Sequence, residues 1–234
     1  MSDLAVIVPS RGRPQNIADL VEAWDATTTG LAKLFVAVDD DDPRLDDYMD
    51  LAATWDLDQH VLTIRKSPGS MVAALNQVAV RVAPRRFALG FMGDDHRPRT
   101  IGWDQHVVLA LTELGTGIVS GSDGYRTDQL PTWCAMTSNI VRTLGYMAPP
   151  NLVHMYVDNA WQTLGTALGK YRFLPDVLVE HLHPLAGKSA MDAGYARVNS
   201  AGVYARDEAA YVAWVRDDMP AAVERLRFGA AVTP

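Results

Sequence analysis

Short β-branched runs alternate with helix-patterned stretches through the N-terminal part of this chain, and that alternation limits the folds open to it. "LAVIV" (4–8) and "LAKLFVAV" (31–38) are closed by Pro9 and by the acids from Asp39 onward, as buried strands are. Between them, "PQNIADLVEAWDATTTG" places Pro14 in a first helical turn, repeats apolar residues at helical spacing and ends on Gly30. The unit recurs as a helix from about Pro43, a strand "HVLTI" (60–64), a helix "SMVAALNQVAVRV" (70–82) and a strand "FALGFM" (87–92). Consecutive βαβ units predict an α/β protein with a mainly parallel sheet, helices on both faces, and ligands at the carboxyl ends of the strands.

The C-terminal half reads as a mixed portion. "GIVSGS" (117–122) and "TWCAMTS" (132–138) are strand-like and flank a loop rich in Gly, Asp and Pro. A helix "MYVDNAWQTLGTAL" (155–168), a strand pair around "YRFLPDVLVEHLH" (171–183) and an amphipathic C-terminal helix from about Arg206 to Arg227 follow. No linker, internal repeat or low-complexity segment interrupts the chain, so one domain over 1–234 is expected. At 234 residues and 48% hydrophobic content it can bury one sizeable core.

Several function classes are excluded early. No apolar run nears the roughly 18 to 20 residues of a membrane helix, and no basic segment precedes the first apolar run, so a cytoplasmic location is expected. Cys134 is the one cysteine, which rules out an intrachain disulfide and a Cys-rich zinc site. A formal net charge of −7 argues against a general nucleic-acid binder, although Arg97, Arg99 and Arg126 could form a local basic rim.

Polar clusters stand at three strand ends. "PSRGRP" puts Ser10, Arg11 and Arg13 before a helix N-terminus, where guanidinium and backbone N–H groups can meet an anion; a plain basic turn is the alternative. "DDDDP" packs four acids together; Asp39, directly after the strand, is best placed for a ligand, while Asp41 and Asp42 read as a solvated turn. "GDDH" sets Asp94, Asp95 and His96 at the end of a buried strand, where adjacent carboxylates can hold a hard divalent cation against a diphosphate or simply cap an acidic loop. Downstream, "HLHPLAGK" offers His181 and His183 on one face of a strand, with Lys188 beyond.

Together, "AVIVPSRGRPQNIADLVEAW", "FVAVDDDDP", "SPGSMVAALNQVA", "FMGDDHRPRTIGWDQ" and "HLHPLAGK" resemble the family 2 type of glycosyltransferases with the GT-A fold, over roughly residues 5 to 190. The resemblance implies a metal-dependent, inverting transfer of a sugar from a nucleotide-diphospho-sugar, most often UDP-linked, with Mn²⁺ or Mg²⁺ as cofactor. It implies a nucleotide-sugar-binding half over 1–100, an acceptor and metal half over 101–200, and a C-terminal helix over 201–234. Pro9, Ser10, Arg11 and Arg13 would line the nucleotide pocket and Asp39 the base, with Ser70, Asn76 and Lys188 also on the donor. Asp95 and His183 would bind the metal, with Asp94, His96 and His181 as alternates; Asp94 would otherwise meet the ribose. Asp158 matches the position of the catalytic base.

A nucleotidyltransferase of similar α/β fold, or a degenerate nucleotide-sugar-binding module, would use the same architecture. Trp133 and Trp161 read as core more than as sugar-stacking surfaces. The loops 121–133 and 145–154 are expected to shape the acceptor side, whose hydroxyl could belong to a glycan, a small molecule, a protein or a modified DNA base.

Overall fold

The computed structural model describes residues 3–66, 69–125, 128–183 and 200–229. Its N-terminal half is the expected βαβ series: β1 (Leu4–Pro9), α1 (Pro14–Asp25), β2 (Ala32–Asp39), α2 (Leu45–Ala52), β3 (His60–Arg65), α3 (Met71–Val82), a 3-10 turn (Ala83–Arg85) and β4 (Ala88–Phe91). Then come β5 (His96–Pro98), α4 (Trp103–Leu114), β6 (Ile118–Ser122), β7 (Cys134–Thr137), α5 (Ser138–Leu144), α6 (Val157–Leu168), β8 (Tyr171–His181), α7 (Ala201–Asp217) and α8 (Met219–Gly229).

Among the described residues, eight strands form one sheet in the order β3-β2-β1-β4-β7-β6-β8-β5. β3, β2, β1 and β4 are mutually parallel, β7 is antiparallel to β4 and β6, and β8 is parallel to β6 but antiparallel to β5. The central strands β1, β2 and β4 are apolar on both faces because both are covered. Ala5 and Ile7 of β1 face α3, α5 and α6, whereas Leu4, Val6 and Val8 face α1 and α4.

Helix α1 buries Ile17, Leu20 and Trp24, at helical spacing, against the second of these cores. Trp24 meets Trp103 of α4 edge to face, with centroids 5.0 Å apart, so truncating either ring would cost about 3–5 kcal/mol. Two fully buried aspartates brace loops. Asp104 accepts the backbone N–H groups of Thr29 and Leu31, and Asp207 those of Val153, His154 and Met155, which joins α7 to the segment ahead of α6.

Three sequence expectations change here. The strand pair at 171–183 is a single strand, β8, whose register against β6 jumps from Gly121↔Leu174 to Ser122↔Leu178. Pro175 has no N–H to give the ladder, so the chain bulges there instead of turning back. The C-terminal helix is two helices, α7 and α8, because Pro220 cannot sit inside a continuous one. The segment read as an acidic loop after β4 also contains β5, three residues long.

Candidate functional site

The carboxyl ends of β1, β2, β3 and β4 open onto one edge of the sheet, and the loops leaving them carry the polar clusters. The loop after β1 is held from beneath. Ser10 Oγ donates to Asp94 Oδ2 at 2.7 Å and lies 2.7 Å from the Tyr48 hydroxyl, which also accepts the N–H of Arg13 at 2.8 Å. Ser10 has a single proton, already given to Asp94, so Tyr48 is the donor to Ser10. Burial pushes the Tyr48 hydroxyl up to about 12, which keeps that proton in place. Arg13 then pairs with Asp94 Oδ1 at 3.2 Å.

Asp42 is not in a solvated turn. It is buried and accepts N–H bonds from Gly12 at 2.8 Å and Arg44 at 2.7 Å, tying the two loops together. Asp41 is exposed and pairs with Arg11 at 2.6 Å. Asp39 lies opposite Arg65 across the β2–β3 ladder, and its Oδ1 is 2.5 Å from Arg65 Nε, with Arg11 3.5 Å from Oδ2. Gly69 makes that possible, since a Cβ there would stand 1.7 Å from the Arg65 guanidinium.

Beyond β4 the two neighbouring carboxylates separate. Asp94 turns toward Ser10 and Arg13; burial, then the charge of Asp95, raises its pKa despite those two partners. Asp95 turns toward the far half of the sheet. Its Oδ1 is 3.2 Å from His96 Nδ1 and its Oδ2 3.3 Å from His181 Nε2. Burial pushes Asp95 up, but the two neighbouring imidazoles, His181 ahead of His96, prevail and hold it well below the usual carboxylate range.

His96 and His181 are opposite one another in the β5–β8 ladder, and their rings stack with centroids 4.3 Å apart. Burial, followed by the neighbouring His181, lowers the pKa of His96. One donor atom from each of Asp95, His96 and His181 lies within 4.8 Å of the others. His183 is near this group but not in it: its ring is 4.9 Å from that of His181 and stacks on Tyr125.

A divalent cation fits this cluster on three grounds. The N–H of Gly93 donates to His96 Nδ1 at 2.9 Å, so in a neutral His96 no proton stands between Nδ1 and Asp95 Oδ1, two acceptors 3.2 Å apart whose repulsion a cation would relieve. His181 Nδ1 is buried without a hydrogen-bond partner among the described residues. Gly93 leaves adjacent space, since a Cβ there would stand 2.5 Å from Asp95 Oδ1 and 2.8 Å from His96 Nδ1.

Asp158 stands in the first turn of α6, where its Oδ1 accepts the N–H of Asn159 at 2.8 Å. It is close enough to Cys134 for its charge, after burial, to help push that thiol up. Cys134 pairs with Phe91, the last residue of β4, so the start of α6 shares the edge that carries Asp94 and Asp95. The residue before α6, Tyr156, has φ 62°, alone among the described non-glycine residues in the left-handed region.

The remaining expected residues have structural contacts of their own. Asn76 accepts the N–H groups of Met147 and Ala148 and donates to the Ala148 carbonyl, bracing the 145–154 loop. Ser70 caps α3 by accepting the N–H of Ala73 at 3.1 Å. Pro9 ends β1 in register with Ala37. Arg97 is no rim residue: it is buried, donating to the carbonyls of Asp94 and His96, while Arg99 pairs with Glu180. Trp133 and Trp161 are core. Lys188 and Arg126 lie outside the described residues.

Sequence reasoning missed Tyr48 and Arg65. Arg65 closes a strand-like run, a signal of the kind used for Asp39; Tyr48 carries no such mark.

A parallel α/β half with acidic strand ends, continued by antiparallel strands that bring histidines to the same edge, makes a GT-A-like fold. Solved structures agree. The mannosyltransferase PcManGT from Pyrobaculum calidifontis, in complex with GDP-Man and Mn²⁺, is similar at TM-score 0.62 and 14% identity, over 99% of this chain and 76% of its own. S. aureus TarS is similar at TM-score 0.57 and 11% identity, over 94% of this chain and 45% of TarS. TarS 1-349 in complex with UDP-GlcNAc gives 0.56 at 12% identity, over 92% of this chain and 73% of that one. No protein-family model and no curated protein sequence matches the chain. Among the described residues no helix is long and apolar enough to cross a membrane.

Proposed function

We propose that the protein is a metal-dependent, inverting glycosyltransferase that moves a sugar from a nucleotide-diphospho-sugar, a UDP-sugar first, to an acceptor hydroxyl. The observation that carries this reading is the division between Asp94 and Asp95: one carboxylate serves the loop after β1, the other faces two imidazoles. The likeness in fold to proteins crystallised with GDP-Man and with UDP-GlcNAc supports a nucleotide-sugar donor.

In this reading Ser10, Arg11 and Arg13 line the nucleotide side with Pro9, and Asp39, held by Arg65, meets the base. Asp95 and His181 hold the cation with His96, and His183 borders them. Mg²⁺ is a hard cation that takes oxygen ligands, so two imidazoles leave Mn²⁺ the better fit of the two. When bound, the cation neutralises charge on the departing diphosphate. Asp158 accepts the proton of the acceptor hydroxyl as its oxygen bonds to the anomeric carbon. The bond from that carbon to the diphosphate oxygen breaks, and the nucleoside diphosphate leaves with its electron pair. The position of Asp158 at the start of α6, on the same sheet edge as Asp95, supports this role. The loops 121–133 and 145–154 border the acceptor side.

A thermal-shift series with UDP-, GDP- and TDP-sugars, with and without Mn²⁺, tests the donor. A rise in melting temperature that requires both is expected, and no rise with any of them would sink the reading. Donor hydrolysis or transfer that disappears in Asp158→Asn, with donor binding retained, is expected of the base; undiminished turnover would remove Asp158 from that role.

A further inference from the structure

Helix α7 holds the entry to α6 from two sides. Asp207, fully buried, accepts three successive backbone N–H groups, that of Val153 at 3.1 Å on Oδ1 and those of His154 at 2.8 Å and Met155 at 2.7 Å on Oδ2. Hydrogen bonds to an ionised acid are the strong ones, so this backbone has little freedom before the helix begins. The next residue, Tyr156, takes the left-handed φ of 62° and stacks on Tyr211 of α7 with ring centroids 5.4 Å apart, while Tyr204 meets it edge-on. Further along α7, Trp214 Nε1 donates to the Tyr146 hydroxyl at 3.2 Å, and the Tyr211 hydroxyl lies 2.7 Å from Thr163 Oγ1. A non-glycine residue in the left-handed region is strained and persists only where its surroundings over-determine it. Trp161 and Leu164 fix the later turns of α6 in the core, which leaves the first turn, with Asp158, to depend on that entry.

We propose that Asp207, backed by Tyr211, is a positioning residue for the transfer reaction: it pins the backbone of 153–155, holds Tyr156 in the left-handed turn that starts α6, and so fixes where the Asp158 carboxylate stands. This rests on Asp158 as the base and adds to that reading a helix distant from the site in sequence. A general base takes its proton only within hydrogen-bond reach, and a misplacement of about 1 Å can lower the rate about 100-fold. Asp207 itself exchanges no proton in the reaction, because both of its oxygens are engaged by backbone N–H groups.

The test compares Asp207→Asn with Asp104→Asn, a second fully buried acid that braces the loop before β2, far from Asp158. The full chain is assayed with Mn²⁺ and the UDP-, GDP- or TDP-sugar that the wild type turns over fastest, read as nucleoside diphosphate released. Asp207→Asn is expected to lower kcat by about 10- to 100-fold with the donor KM unchanged, and to speed amide hydrogen exchange at 153–158. Asp104→Asn should lose stability yet keep kcat. In an Asp158→Asn background, Asp207→Asn should bring no further loss, since a residue acting through Asp158 has nothing left to position. An unchanged kcat in Asp207→Asn, an equal fall in Asp104→Asn, or a full further fall in the double variant overturns the proposal. If Asp207→Asn does not fold, Tyr211→Leu, which removes the ring stacked on Tyr156, takes its place: kcat should fall with KM held, and an unchanged kcat overturns the proposal. A wild type that releases nucleoside diphosphate from none of these donors sinks the transferase reading and this inference with it; an active wild type indifferent to Asp207 sinks this inference alone.

Discussion

Asp94 and Asp95 are adjacent in the chain and opposite in environment. Asp94 is buried among groups that complete it: Ser10 and Arg13 supply its hydrogen bonds, and Tyr48 holds Ser10 in turn. Asp95 faces His96 and His181, whose nitrogens can exchange a proton or a hydrogen bond for a metal ion. Their pKa values accordingly move in opposite directions, Asp94 up and Asp95 down. The difference teaches that an acidic pair is not one site. One member braces the loop after β1, and the other faces two histidines across the sheet.

The largest effect should separate the pair outright. Asp95→Ala is expected to remove the whole Mn²⁺-dependent rise in melting temperature, whereas Asp94→Ala keeps it; the reverse pattern would overturn the division. Next in size, Asp94→Ala should lower the unfolding free energy of the metal-free protein by about 2–3 kcal/mol, read by urea denaturation, because it strips charge-assisted bonds from a buried carboxylate's partners. Asp95→Ala should cost less than this when no metal is added.

A smaller effect is expected from Gly93→Ala. Its Cβ would crowd Asp95 and His96, so Mn²⁺ affinity should fall about tenfold, equivalent to about 1.4 kcal/mol, with little change in the metal-free melting temperature. An unchanged affinity would show that the space beside Gly93 is not used.

The smallest effect comes from a histidine and carboxylate at the opposite edge of the sheet, His60 and Asp25, 3.0 Å apart. Burial lowers the pKa of His60, with the charge of Asp25 opposing it. A histidine whose folded pKa is depressed binds its proton more readily when unfolded, so stability is complete above the unfolded value and falls as pH drops below it toward the folded one. His60→Gln should flatten that dependence in the metal-free protein, measured as unfolding free energy against pH. An unaltered slope would assign the dependence to other groups.

The N-terminal half was legible because its signals are local. Periodicity and Pro14 marked α1, and the β-branched runs marked β1 and β2. The acids at their ends were legible as well, since the carboxyl end of a parallel strand borders the crevice whatever its partners are. Their division of labour was not. Asp42 reads as one of four surface acids until the loop after β1 folds over it, and Arg97 as a surface cation until β5 forms and buries it. The resemblance put His183 ahead of His181 as metal ligand. The antiparallel pairing of β5 with β8 sets His181, not His183, opposite His96, and strand register is settled only when both strands are present.

By itself, then, the sequence determined the α/β class, the succession of the first four strands along the chain and the acids at their carboxyl ends, because apolar periodicity and strand termini are properties of neighbouring residues. The tertiary structure alone decided which carboxylate meets which partner. Asp94 is 84 residues from Ser10 and Asp95 86 from His181, and such contacts form only when separate strands dock, so no local pattern encodes them.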